Sequence, residues 1–217
     1  MGFINIFYLK TNFKILGICM EDTISWIINY ALKLGADYVD VRFQEYDYEY
    51  VVAENKVLKM YSSRRIKGLG IRVLCNKVMG FASTSDLSLE SIRRVAEKAI
   101  ALAKAGSGFA RQVEFSESKV VKDRIKSKFR INPLDVHPEE KVKVVLEANK
   151  SAFINDDIKA AVTRLGIQVD RRIFASSEGS YVEVLTVLTG LAHESIARFG
   201  DVLERVPYQE SMVSGYE

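Results

Sequence analysis

Hydrophobic positions along the chain alternate between a helical period and a strand period, and the switches fall at turn-forming residues. Ile24, Ile27, Ile28, Ala31 and Leu32 form one stripe over residues 22–34, which predicts a helix started by Asp22 and ended by Gly35. Val39, Val41 and Phe43 then alternate with Asp40, Arg42 and Gln44, and further on Tyr46, Tyr48, Tyr50 and Val52 alternate with Glu45, Asp47 and Glu49. The apolar parity changes between these two runs, which predicts a bulge or a switch of the covered face inside one long strand. A turn at Glu54-Asn55, a return strand from Val57 to Lys67, an alternating run through Leu69, Ile71 and Val73, a turn at Asn76-Lys77 and a strand from Val78 to Ala82 complete a meander.

Ser88 is placed to cap a second helix, with Glu90 in its first turn and Leu89, Ile92, Val95, Ala96, Ala99 and Leu102 on one face, ending near Gly106. Residues 106–135 lack a period and read as a linker or long surface loop. Pro138, Glu139 and Glu140 open a third helix whose inward residues are Val142, Val145 and Leu146. After the turn at Asn155-Asp156-Asp157 come three β-branched segments, 158–169, 172–176 and 180–193, separated by Asp170-Arg171 and by Ser177-Glu178-Gly179. Strands in runs, set between helices, predict an α+β fold built on a long antiparallel sheet flanked by helices.

Composition changes this picture little. Of 217 residues, 48% are hydrophobic and 27% charged, which is globular, and the formal charge of +3 does not mark a nucleic-acid binder. Cys19 and Cys75 are far apart and form no C-x-x-C pair, which argues against a disulfide framework and points to a reducing, cytoplasmic setting. No apolar run is long enough for a membrane-spanning helix. Residues 1–19 are interrupted by Lys10 and Lys14 and read as a disordered or mis-started extension, with Met20 as the start of the folded region, 20–217.

Candidate chemistry is sparse. Gly68-Leu69-Gly70 has Val at position 73 where a dinucleotide fingerprint needs its third glycine, and it runs into a strand. His193-Glu194 opens like a zinc-peptidase helix, yet position 197 is Ala and position 198 is Arg, so the second ligand is missing. His137 reads as a residue at the start of a helix. The serines form no G-x-S-x-G, and two histidines leave little for a nucleophile to use as base. Glu45, Asp47 and Glu49 read as a solvated acidic face. Lys119 to Arg130 holds six basic residues against one acid and reads as a solvated linker, the rival being a nucleic-acid contact. Tyr46, Tyr48 and Tyr50 read either as packing beneath a helix or as the wall of a substrate groove.

Several of these pieces occur together in an order with a precedent. Gly35-Ala36, Asp40 to Arg42, Gly68-Leu69-Gly70-Ile71-Arg72-Val73, Gly80 to Thr84, Asp170-Arg171-Arg172 and Ser176-Ser177-Glu178-Gly179 follow one another at natural spacing. From about Met20 onward the chain resembles TldD/PmbA proteins, zinc-dependent peptidases historically called modulators of DNA gyrase. The resemblance implies an amino-terminal portion of such a protein, acting in peptide proteolysis through groove walls and subunit contacts. It also implies a homo- or hetero-oligomer with a TldD/PmbA-type subunit or a carboxy-terminal half, and zinc in the complete assembly on an H-E-x-x-x-H helix that is not among these residues. A non-catalytic, PmbA-like partner subunit is the alternative. Gly35, Arg42, Gly68, Gly70, Arg72, Gly80, Phe81, Ser177 and Gly179 are the family-motif positions and are expected to be mainly structural. No catalytic or metal-binding residue is assigned in the chain.

Overall fold

The computed structural model describes residues 14–15, 18–109, 111–116 and 118–217. Most of the extension expected at 1–19 lies outside the described residues; of it, β1 (Lys14–Ile15) and β2 (Ile18–Cys19) pair antiparallel. The remaining elements are α1 (Met20–Lys33), β3 (Tyr38–Glu54), β4 (Val57–Cys75), β5 (Val78–Thr84), α2 (Leu89–Gly106), β6 (Lys122–Lys126), α3 (Pro138–Ser151), β7 (Ile158–Ser176), β8 (Tyr181–Phe199) and β9 (Val202–Met212). The main sheet has seven strands in the order β5-β4-β3-β7-β8-β6, and β9 also pairs with β8.

The chain divides into two compact units. Unit 1 holds residues 1–42, 68–120 and 175–180. Within it α1 packs on α2 and α2 on β5; Ile24, Ile27 and Ala31 are buried on one helix, Ile92, Ala96, Ala99 and Ala103 on the other, and Val39, Val41, Ile71 and Val73 on the strands. Each fully buried Ile or Val side chain contributes roughly 1.5–3 kcal/mol relative to exposure. Leu102, expected on the inner face of α2, is 48% exposed, and the adjacent Ile100 and Ala103 take that face.

Unit 2 holds residues 43–67, 121–174 and 181–217. Val51 and Ala53 of β3, Leu165 and Ile167 of β7 and Val145 of α3 form its core, with Val142, Leu146 and Leu191 packed at the margin. The stretch 106–135 is not wholly loop, because Lys122–Lys126 pairs parallel with Tyr181–Leu185 of β8. Asp170-Arg171 does not break a strand. Asp170 accepts a hydrogen bond from Gln44 at 2.9 Å and Arg171 donates to Glu183 at 2.7 Å, so the pair is satisfied within a continuous β7.

Two tight turns fix the meander. Asn55 and Lys56 have φ of 49° and 70°, and Asn76 and Lys77 have 49° and 65°. Two successive left-handed residues match the right-handed twist of flanking strands, which is why two-residue hairpin loops adopt this conformation.

Candidate functional site

The family-motif positions all lie in unit 1. Gly35 has φ of +95° and ends α1, its amide donating to the Leu32 carbonyl at 3.0 Å. At Gly80 a Cβ would stand 2.0 Å from the Ala99 carbonyl oxygen, so β5 reaches α2 at a distance only glycine permits. A Cβ on Gly70 would stand 3.0 Å from the Phe81 ring, which lies over it. Arg72 donates to Asp40 at 2.7 Å and buries that carboxylate, while Arg42, largely exposed, stands 3.8 Å from it. The Tyr38 phenol beside Asp40 is pushed up in pKa by burial and then by that carboxylate. Ser177 clamps Val39 twice, its Oγ accepting from the Val39 amide at 3.1 Å and its amide donating to the Val39 carbonyl at 2.8 Å. Gly179 turns the chain at φ +98°, and Gly68 sits with space for a Cβ only 3.3 Å from the Thr84 carbonyl. These contacts position strands and helices, and none of them assembles a reactive group.

In unit 2, β3 separates two chemistries. Within this unit its burial keeps one parity, since Phe43, Glu45, Glu49, Val51 and Ala53 are all buried. The expected parity change therefore does not move the covered face, and the acids at 45 and 49 occupy it alongside the apolar residues. Glu49 pairs with Lys141 of α3, which is fully buried. Glu45 faces Arg65 at 3.9 Å, with Oε1 buried and lacking a hydrogen bond, and burial raises its pKa against the opposing pull of Arg65. One helical step beyond Val145, the Asn149 amide reaches the carbonyls of Ala53 and Ala161 and the Thr163 hydroxyl at 3.0–3.2 Å, and its Oδ1 accepts from the Lys56 amide at 2.7 Å.

The other parity stays open. Tyr46, Tyr48 and Tyr50 stack face to face, with ring centroids 6.4 and 6.0 Å apart and interplanar angles of 6° and 15°. The contacts given for α3 on β3 fall on the opposite parity, at Glu49, Val51 and Ala53, and the three rings are half-buried. Tyr48 and Tyr50 border a cavity of about 430 Å³ with Arg164, Gly166 and Gln168 of β7, Gly190 of β8 and Gln209 of β9. Gly166 and Gly190 leave its floor flat. A Cβ on the first would meet the Tyr50 ring at 3.9 Å, and one on the second would meet the Ser211 Cβ at 3.0 Å. Aromatic faces, the Arg164 guanidinium, the Glu210 carboxylate and two side-chain amides on a flat sheet suit an extended chain carrying varied side chains.

The two histidines are not metal ligands in this arrangement. His193 lies on β8, and its ring nitrogens are each 2.8 Å from a hydroxyl, Nδ1 from Thr163 and Nε2 from Ser195. Glu194, next along the strand, ion-pairs with Arg205 at 3.3 Å. His137 stands 3.9 Å from Glu139 at the start of α3. Among the described residues no three His, Cys, Asp or Glu side chains converge as a metal site. The donor set therefore does not fit the zinc that the resemblance implies for the whole assembly. The basic run is partly engaged as well, with Arg124 of β6 3.5 Å from Glu183 and Lys126 over the Phe129 ring at 4.2 Å. Cys75 is a buried free thiol whose pKa is raised by burial and by Asp37. No helix among the described residues is long and apolar enough to cross a membrane.

Comparison with known proteins agrees with this geometry. The PmbA/TldA metallopeptidase domain 1 profile matches residues 39–103, and the PmbA/TldA metallopeptidase central domain profile matches residues 131–217. A metalloprotease of Methanocaldococcus jannaschii is 28% identical over 153 residues, covering 70% of this chain and 34% of that protein. A metalloprotease TldD homolog of Buchnera aphidicola is 30% identical over 156 residues, covering 70% of this chain and 29% of its own. TldE from Thermococcus kodakarensis has the same fold, with a TM-score of 0.70 at 18% identity over 88% of this chain and 43% of that one. The chain thus spans about a third of the length of the curated relatives it matches. With both profiles in order and together covering most of its length, this chain belongs to the PmbA/TldD metallopeptidase family, whose first and central domains it contains.

Proposed function

We propose that this chain forms the peptide-bearing sheet of a TldD/PmbA-type peptidase assembly, holding an unfolded substrate against the open face of β3 while zinc-dependent hydrolysis occurs on an H-E-x-x-x-H segment supplied elsewhere in the assembly. The observation that carries this reading is the stacked Tyr46-Tyr48-Tyr50 ladder, open beside a flat-floored cavity. Stacked rings give large contact area at little entropic cost, and they tolerate sequence variation in what lies on them. The metalloprotease names of the two curated relatives support the peptidase part. A homo- or hetero-oligomer with another TldD/PmbA-type subunit, in a reducing cytoplasmic setting suited to the free Cys75, completes the proposal.

Two measurements test it. The purified chain is expected to hold no stoichiometric zinc by elemental analysis and to cleave no peptide, and to gain peptidase activity when combined with a chain supplying H-E-x-x-x-H. Stoichiometric zinc abolished by His193→Ala overturns the placement of the hydrolytic centre outside these residues. For the substrate face, an uncharged, unfolded, fluorescein-labelled peptide is expected to bind by anisotropy and to lose affinity when Tyr48 and Tyr50 are replaced by Ala.

A further inference from the structure

The hairpin of β3 and β4 leaves a long edge in unit 2. β5 pairs with β4 only from Leu69 to Cys75. Among the described residues, no strand pairs with the outer side of Val57–Lys67. Such a stretch spans roughly 35 Å at the usual strand rise, and its outward N–H and C=O groups are a ready template for another strand.

Edges of this kind are normally blunted by charged side chains, lysine above all, by proline or by a bulge. Here the charges have one sign. Lys59, Arg64 and Lys67 are exposed, Arg65 is held by Asp47 at 2.6 Å, and residues 57–67 contain neither an acid nor a proline. A second copy of the chain would bring the same four basic residues against this set, which disfavours self-pairing. An acidic strand meets the opposite condition. Beside the edge, Leu58 and Tyr61 of β4 form an apolar groove with Val142 and Leu146 of α3, about 470 Å³ in volume, whose charged lining is balanced between two glutamates and two lysines of α3. A groove next to an open edge gives what strand addition requires, backbone pairing for affinity and a pocket for side-chain preference.

We propose that the Val57–Lys67 edge binds an extended acidic polypeptide as an added strand, with one apolar side chain of that peptide seated in the groove beside Leu58 and Tyr61. The site uses neither the tyrosine ladder nor any zinc chemistry, so it stands independently of the function proposed above.

The test uses the full chain and a fluorescein-labelled decapeptide of alternating Glu and Val, with a Lys-for-Glu counterpart, read by fluorescence anisotropy. The acidic probe is expected to bind at least about tenfold more tightly than the basic one, and reversing Lys59, Arg64 and Lys67 to Glu is expected to remove about that factor. Leu58→Ser is expected to weaken binding severalfold without changing its salt dependence. Acidic probes N-methylated on alternate residues separate strand addition from charge attraction: one parity is expected to abolish binding and the other to retain it. Equal affinity for acidic and basic probes overturns the proposal, as does indifference to the parity of methylation. A dimer seen by sedimentation that competes with the probe and is lost in the charge-reversed variant also overturns it, and assigns the edge to a second copy. Circular dichroism of each variant establishes that the sheet is retained.

Discussion

The two faces of β3 in unit 2 have nearly the same spacing of polar and apolar residues and opposite fates. On one, Glu45 and Glu49 are drawn inward with Val51 and Ala53, and Lys141 and Asn149 come down from α3 to satisfy what is buried there. On the other, three tyrosines, which carry more apolar area than the acids, remain partly exposed and stack on each other. The first face is covered where a neighbouring element supplies partners for its polar groups, Glu45 Oε1 being the exception. Hydrophobicity alone does not decide which parity that is. The covered face is therefore expected to be the one whose disruption costs stability, and under the proposed function the open face the one whose disruption costs binding.

The sharpest way to break that contrast is at the buried ion pair. Lys141→Ala strands the Glu49 carboxylate and is expected to cost about 3–5 kcal/mol in urea unfolding, whereas Lys141→Met combined with Glu49→Leu is expected to recover most of it. A loss below about 1 kcal/mol for the single variant, the range of an exposed pair, would show that the pair is not the buried contact described. Asn149→Ala removes the partner of the Ala53 and Ala161 carbonyls and of the Lys56 amide, and an expected cost of about 2–3 kcal/mol follows from leaving such groups unpaired. Calorimetry checks it, with Lys150→Ala, one residue further along α3 and exposed, as control.

Glu45 gives a smaller, pH-dependent effect. Its folded pKa is raised by burial, so the folded state binds the proton more tightly than the unfolded chain does. Stability from this group is complete below the ordinary carboxylate pKa and falls as pH rises through the raised one. Glu45→Gln is expected to flatten that decline and to raise the melting temperature at neutral pH while leaving it nearly unchanged in acid. The open face is expected to matter least for folding, with Tyr48→Ala costing within about 1 kcal/mol because its ring is already partly solvated.

Much of the fold was legible in residue order. The stripe from Ile24 to Leu32, the Ser88 cap and the start of α3 at Pro138 carry helix signals that tertiary packing then reinforced. β9 was not legible, because an edge strand exposed along its whole length has no alternation, and Pro207 argues against a strand except at an edge. Lys141 and Asn149 were missed for a different reason. Polar residues on a helix read as its wet side unless a partner is known, and their partners, Glu49 and the Ala53 carbonyl, lie about ninety residues away in sequence. The motif glycines were legible as structural positions, and Gly80 proves to mark a helix contact. Which parity of β3 stays open was not legible, since it depends on Gly166 and Gly190 from strands that only the folded sheet brings alongside.

The most direct test of the account is the affinity of an uncharged, unfolded peptide for the full chain and for its Tyr48→Ala/Tyr50→Ala variant, with melting temperature measured on the same samples. Loss of two stacking rings predicts a drop of at least about tenfold in affinity with little change in melting temperature. Unchanged affinity in a variant that melts normally would contradict the assignment of the open face to peptide binding.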